Sequence, residues 1–389
     1  MSATYGATRP GSYGRPWFVL AGVAGFYFGG MHAYGQFHTW IHGLFELNHQ
    51  KSVEIEIPAV YGYLWVFLCG LGWGGVAAVF LVWLGKPGQS RWRHWLLGIV
   101  LALFCAWSFH WVTLAGPGLV MPAYDIVDYH NVEECPDCLR TIRTLVESMM
   151  WLGFLLGAIL ARLVLKQWRD VAFMITMAVG FGIAFTGFEW LHLFRRTGDA
   201  ATAYFWSFWE ASVGMLGGAV LGTCFLLFNR PRDETARVTE ITRLELIIGV
   251  LLPIMASTYY VVPFRVARAA QWLLGYDEKS LRPAMSYTTL LVIVPVGLYL
   301  LYRIARSRTF FAQRAARFAY SGGLFMTIYA GYFVSSYLPR FALIEHGFGI
   351  WATQTIYGVA FAVSVLMFFR LRSGATTQCP VDLEENRGG

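Results

Sequence analysis

Charge is what this sequence has least of. Only 14% of its 389 residues are Asp, Glu, Lys or Arg, against 57% hydrophobic and 17% aromatic residues. A soluble globular chain carries roughly 25% charged residues, so this one has too few to cover a water-soluble body of its size. The shortage excludes a soluble enzyme and a disordered protein. Cysteine is scarce too, with six in the chain, which excludes a secreted disulfide scaffold. Lysine occurs only at Lys51, Lys86, Lys166 and Lys279. There is no P-loop, no dinucleotide fingerprint and no nucleophile elbow in a usable context. No small-residue cleavage site follows the first apolar run, so no removed signal peptide is expected.

What the chain does have is long apolar runs, with a mean hydropathy of +0.50. A hydrocarbon core of about 30 Å needs about 20 apolar residues per helix. The runs predict an all-α polytopic bundle of ten spans, near 17–42, 58–84, 92–115, 143–165, 171–194, 204–228, 243–262, 285–303, 317–338 and 348–369. Residues 1–389 then form one integral membrane domain, with a core bundle over 58–338 and extra helices at 17–42 and 348–369. The net charge is +7. In such a chain basic residues in short loops hold helices in place, and nucleic acid is not the expected partner. Of the 30 basic residues, 20 fall in the N-terminus, the even-numbered loops and the C-terminus, and 10 in the odd-numbered loops. By the positive-inside rule both termini are expected in the cytoplasm, with the acid-rich loop Met121–Thr141 outside.

Ionisable groups inside such spans cost at least about 2.5 kcal/mol and are functional candidates by default. On the expected topology, His38 and His42 end helix 1 on the outside and His32 lies nearer its middle. His110 lies in the outer part of helix 3, and Glu147 opens helix 4. Glu189 and His192 close helix 5, and Glu210 lies one to two turns into helix 6. Some of these cap helix ends or touch interfacial water. Together they form one layer toward the outer leaflet, which suits proton-coupled chemistry such as quinol oxidation. Helices 2 and 6 carry glycine clusters, Gly70, Gly72, Gly74, Gly75 and Gly214, Gly217, Gly218, Gly222. Small residues let membrane helices approach closely. The two stretches resemble each other four helices apart, so a parallel internal repeat is possible.

Cys69, Cys105 and Cys224 read as small core residues, and Cys379 lies in a polar tail. Cys135-x-x-Cys138 lies in the acidic loop. It is no c-type haem site, because Leu139 stands where histidine is required. A local disulfide ranks first for this pair, a partner contact second and a metal with His130 third. Haem b would need facing histidines, His38 or His42 with His110 or His192. Glu46-Leu-Asn-His49 and Glu189-Trp-Leu-His192, with Glu147 and Glu210, match the minimal di-iron pattern.

Several segments resemble one family. Pro58-Ala-Val-Tyr-Gly-Tyr-Leu-Trp-Val-Phe-Leu-Cys-Gly-Leu-Gly-Trp-Gly-Gly is an aromatic lead into a Gly-rich helix. Helix 3 ends in Ser108-Phe-His-Trp-Val-Thr-Leu-Ala-Gly-Pro117. Helix 5 carries Phe185-Thr-Gly-Phe188, and Arg243-Leu-Glu245 opens helix 7. In these features, over helices 2 to 9, the chain is similar to the NrfD / polysulphide-reductase membrane subunits, in the ten-helix form of quinone-linked hydrogenase and sulphur-metabolism complexes. Trp65 stands where some members place a quinone-binding histidine, and His110 is the histidine that carries over. The resemblance implies a subunit of a bacterial inner membrane complex, without a redox centre of its own. It would exchange electrons between menaquinone or ubiquinone and an iron–sulphur partner attached to a catalytic subunit, of molybdopterin type or similar. The expected site lies between helices 2, 3, 5 and 6. Tyr61, Tyr63 and Trp65 would supply its wall, and His110 would hydrogen-bond a quinone carbonyl. Glu147, Glu189, His192 and Glu210 would handle protons. The alternatives are a membrane-embedded lipid-modifying transferase, suggested by Trp209-Glu210 before Gly217-Gly218, a b-haem membrane cytochrome, and a transporter.

Overall fold

The computed structural model describes residues 22, 24–26, 28–29, 37–48, 51, 53–84, 92–121, 133, 135–190, 205–228, 275, 277–306, 355–356, 358–359 and 362. The chain divides into two compact units, residues 21–230 and residues 1–20 with 231–389. The expected spans 243–262 and 317–338 lie outside the described residues. Span 348–369 is represented by five helical residues only.

The first unit is a mostly helical membrane bundle. Its elements are α1 (Phe37–Trp40), an antiparallel hairpin of β1 (Leu44–Asn48) and β2 (Val53–Glu56), then α2 (Val60–Leu84), α3 (Trp92–Ala115), α4 (Cys138–Val164), α5 (Trp168–Gly187) and α6 (Phe205–Phe228). Four described helices, α2 to α5, are long and apolar enough to cross a bilayer.

Helix 1 was expected to run to residue 42, but helix gives way to the hairpin there. Gly43 adopts φ +74° and turns the chain. The sequence then alternates, Leu44-Phe45-Glu46 against Glu54-Ile55-Glu56, which is a strand period and not a helical one. Phe45 and Ile57 point into the core while Glu54 and Glu56 face out.

The helices pack in the order α3, α4, α2, α5, α6. Helix α2 is apolar all round and sits in the middle, with 72% of its apolar stretch buried. Helix α3 is equally apolar, yet only 22% of its stretch is buried. Leu96, Ile99, Val100, Leu103, Phe104, Trp107, Trp111 and Val112 stand exposed along it. A helix apolar on every side fits only a protein interior or a membrane, so the bare faces of α3 are suited to lipid.

One seam holds α3 in place. Gly153 and Gly157 of α4 meet the α3 backbone so closely that a Cβ on Gly157 would lie 2.2 Å from Leu101 O, and one on Gly153 2.5 Å from Cys105 O. Gly70 and Gly74 of α2 make similar notches for α5 at Phe181. The glycines of α6 differ. Gly217 meets Phe181, but Gly214, Gly218 and Gly222 have nothing within 4 Å among the described residues.

The turn from α4 to α5 is a Schellman arrangement. Lys166 N–H donates to Leu163 O (2.9 Å) and Gln167 N–H to Arg162 O (2.8 Å), the two bonds that close this motif. Lys166 holds the left-handed position, φ +56°, which suits glycine better. The buried Arg162 guanidinium turns back onto the corner, bonding Gln167 and lying 3.9 Å from Asp170. Lys166→Gly is expected to raise stability by about 0.5–1 kcal/mol by relieving this backbone strain. Thermal unfolding in detergent checks it, and an unchanged or lower midpoint would refute it.

In the second unit, Asp277 caps α7 (Glu278–Arg306), its carboxylate accepting from Ser280 N–H at 3.1 Å. Pro283 and Pro295 lie inside that helix.

Candidate functional site

The starts of α2, α4 and α6 and the end of α5 meet at the hairpin end of the first unit. Helix α1 lies against the first turn of α2, because Gly62 carries no side chain there; a Cβ would come 2.2 Å from Ile41 N. That close approach delivers His38 into the interior, where it is 3% exposed.

Helix α5 ends at Gly187, and a single turn beyond it carries Glu189, which is 0% exposed. His38 Nδ1 and Glu189 Oε1 form a hydrogen-bonded pair across 151 residues of sequence. Aromatic rings enclose the pair. Trp209 of α6 meets the His38 ring edge to face, centroids 4.6 Å apart. Its Nε1–H donates to Phe185 O at 3.1 Å. Phe185 packs against Trp209 at 5.6 Å, and Phe37 stacks on Trp65 at 5.3 Å.

Burial pushes the Glu189 carboxyl well above its ordinary range, because a desolvated carboxylate is costly; the nearby Trp209 indole offsets only part of this. An imidazole and a carboxyl so placed can pass a proton between them. Tyr63, half-buried on α2, lies within range of the Glu189 charge. So does the Cys69 thiol, one to two turns further along α2, which stands beside Ser148 of α4. The second carboxylate oxygen, Glu189 Oε2, has no hydrogen-bond partner among the described residues.

The site residues expected from sequence divide in two. Glu189, Tyr63 and Trp65 gather here, with Tyr61 half-buried in the first turn of α2. The others stand apart. Glu147 pairs with Arg143 one turn back on α4, at 3.0 Å. Glu210 is exposed on α6. His110 is half-buried on α3, its ring edge to face with Trp111 at 6.0 Å, and α3 packs along α4. His192 lies outside the described residues. His42 sits in the turn after α1, its N–H donating to Thr39 O.

Two residues of the pair's surroundings carried other readings in the sequence. His38 stood as a haem-ligand alternative, and in the structure it faces a carboxylate. Trp209 stood only in the transferase comparison, although its indole packs against the His38 ring. Glu46 belongs to β1, so the first Glu-x-x-His stretch lacks the helical spacing that a di-iron bundle needs. Among the described residues no three His, Cys, Asp or Glu side chains cluster as metal ligands. Cys135 and Cys138 form a disulfide at the start of α4, both fully buried. Asp137 N–H between them reaches Leu47 O of the hairpin at 3.5 Å.

Compared with protein-family models, with curated proteins and with solved structures, the chain matches none.

Proposed function

We propose that this chain is the quinone-interacting membrane subunit of a respiratory oxidoreductase complex, passing electrons between quinone and an iron–sulphur partner. The observation that carries the reading is the buried His38–Glu189 pair inside an aromatic enclosure. Oxidation of a quinol releases two electrons and two protons. The electrons need an acceptor, which the partner's cluster supplies. The protons need a base at the ring oxygens, and an imidazole backed by a carboxylate is such a base. Trp65, Phe37 and Trp209 make the surroundings of the pair aromatic and apolar, an environment compatible with a quinone ring. Tyr63 adds a hydroxyl donor. The resemblance of α2, α3 and α5 to the NrfD / polysulphide-reductase subunits supports the same reading.

In this proposal the chain crosses the membrane ten times with both termini in the cytoplasm. The hairpin end, with the acidic loop and the disulfide, then faces outward. An impermeant thiol reagent should label Lys51→Cys and Arg140→Cys in intact cells. Labelling that needs permeabilised cells would reverse the orientation.

Purification from native membranes tests the function. An iron–sulphur subunit should co-purify, and the complex should transfer electrons to or from a short-chain quinone. A chain that purifies alone and modifies lipid, or carries solute flux in liposomes, would replace this reading. His110→Ala is the comparison for the site. Loss of quinone activity in His110→Ala, with Glu189→Gln unaffected, would move the quinone to the α3–α4 face.

A further inference from the structure

A proton held by the His38–Glu189 pair has no direct way out, since Glu189 is 0% exposed and His38 3%. We propose that the hydroxyl face of α4, Ser148 with Thr144 and Thr141, carries this proton between Glu189 and the hairpin end of the protein. The inference rests on the proton-handling reading of the pair and extends it by naming the path.

Three observations support the path. First, Ser148 is 2% exposed and its Oγ makes no hydrogen bond of regular geometry with a described residue. Serine and threonine inside helices commonly bond back to the carbonyl four residues before. Thr141 and Thr144 do so, donating to Asp137 O and Arg140 O at 3.0 Å each. Ser148 does not, and its hydroxyl is turned instead to the Cys69 thiol.

Second, Glu189 Oε2 is also buried without a partner among the described residues. Cys69 lies beside Ser148 and within range of the Glu189 charge. One orphan oxygen thus stands beside the thiol, and the other carboxylate oxygen belongs to a group within its electrostatic reach. Ordered water commonly resolves such a pattern, because a buried water makes two to four hydrogen bonds to groups left unpaired.

Third, Thr141, Thr144 and Ser148 follow each other at spacings of three and four, so they share one face of α4. All three are buried. At 1.5 Å per residue they climb about 10 Å toward the start of the helix. Each hydroxyl keeps lone pairs to accept a proton while it donates its own. Half-buried Asp137 stands at the end of the line, where α4 begins.

Hydrogen–deuterium exchange of the Glu189 carboxyl, followed by infrared spectroscopy on the purified full chain, tests the path. The protonated carboxyl band is assigned by its loss in Glu189→Gln. On transfer to D2O its shift should be at least about tenfold slower in Ser148→Ala/Thr144→Val than in the wild type. Ser148→Thr, which keeps every hydroxyl of the path, should exchange at the wild-type rate. An unchanged rate in the double variant overturns the proposal, as does a slowing produced by Tyr63→Phe and not by the α4 variants. A chain with no band lost in Glu189→Gln also overturns it. The readout needs no quinone. Slowed exchange with normal quinone turnover in Glu189→Gln would therefore keep the path and remove the quinone reading.

Discussion

On the proposed quinone-linked function, Glu189→Gln is expected to lower turnover at least about tenfold, a barrier increase of roughly 1.4 kcal/mol. The substitution keeps size and hydrogen-bonding capacity, so the amide still reaches His38. It removes only the ability to take and release a proton. Activity with an artificial electron dye that bypasses the membrane subunit should stay at the wild-type level, and so should assembly with the partner. Full quinone activity in assembled Glu189→Gln would sink the site. Stability gives a second readout with a definite sign. The native Glu189 carboxyl titrates above its unfolded value because burial penalises the charged form. Between the ordinary carboxylate pKa of about 4.3 and the raised native value, the folded chain holds more protons than the unfolded chain. Its stability therefore falls as pH rises through that window. Glu189→Gln should flatten this slope, which thermal unfolding across pH measures directly.

The second large effect concerns the α3–α4 seam. Gly153→Ala/Gly157→Ala should destabilise the bundle by about 3 kcal/mol or more, since overpacking typically costs 1–3 kcal/mol per site. The new methyl groups would strike backbone at Cys105 and Leu101, and backbone cannot rotate away as a side-chain tip can. The two glycines stand four apart, the spacing at which membrane helices meet most closely. Gly214→Ala is the control. Nothing described lies within 4 Å of that position, so its effect should stay within about 0.5 kcal/mol. Thermal unfolding in detergent compares the two, and an equal midpoint in both would refute the seam.

Helices α2 and α3 are legible in the sequence because each is one apolar run with clear flanks: residues 58–84 and 92–115 were expected, and Val60–Leu84 and Trp92–Ala115 are found. Helix α4 begins five residues before its expected start, at Cys138, because a polar first turn carries no hydropathy signal. Helix α5 stops at Gly187, short of residue 194, and this early end is what leaves Glu189 in a turn where it can meet His38. Position along each helix is visible in sequence. Which groups touch is not, since depth says nothing of rotation about a helix axis. His38 and Glu189 are joined by the way Gly62 seats α1 on α2, a packing detail with no sequence period. The Gly153–Gly157 notch is visible as a spacing, but the denser glycine clusters of α2 and α6 outweigh it, and most of the α6 cluster meets nothing within 4 Å among the described residues.

The central place of α2 has a consequence for synthesis of the chain. Its notch at Gly74 is filled by Phe181 and Met177 of α5, made about a hundred residues later. At about 5–20 residues per second, the ribosome needs roughly 5–20 s to supply them. During that interval α2 lacks α5 beside it, and its Gly74 notch stands open to lipid or to the insertion machinery. The bundle therefore closes around its first long helix only after its fourth has been delivered. A nascent chain halted before residue 168 should hold α2 in a state that a bilayer-soluble crosslinker at Gly74→Cys reaches, and a chain released after α5 should protect it.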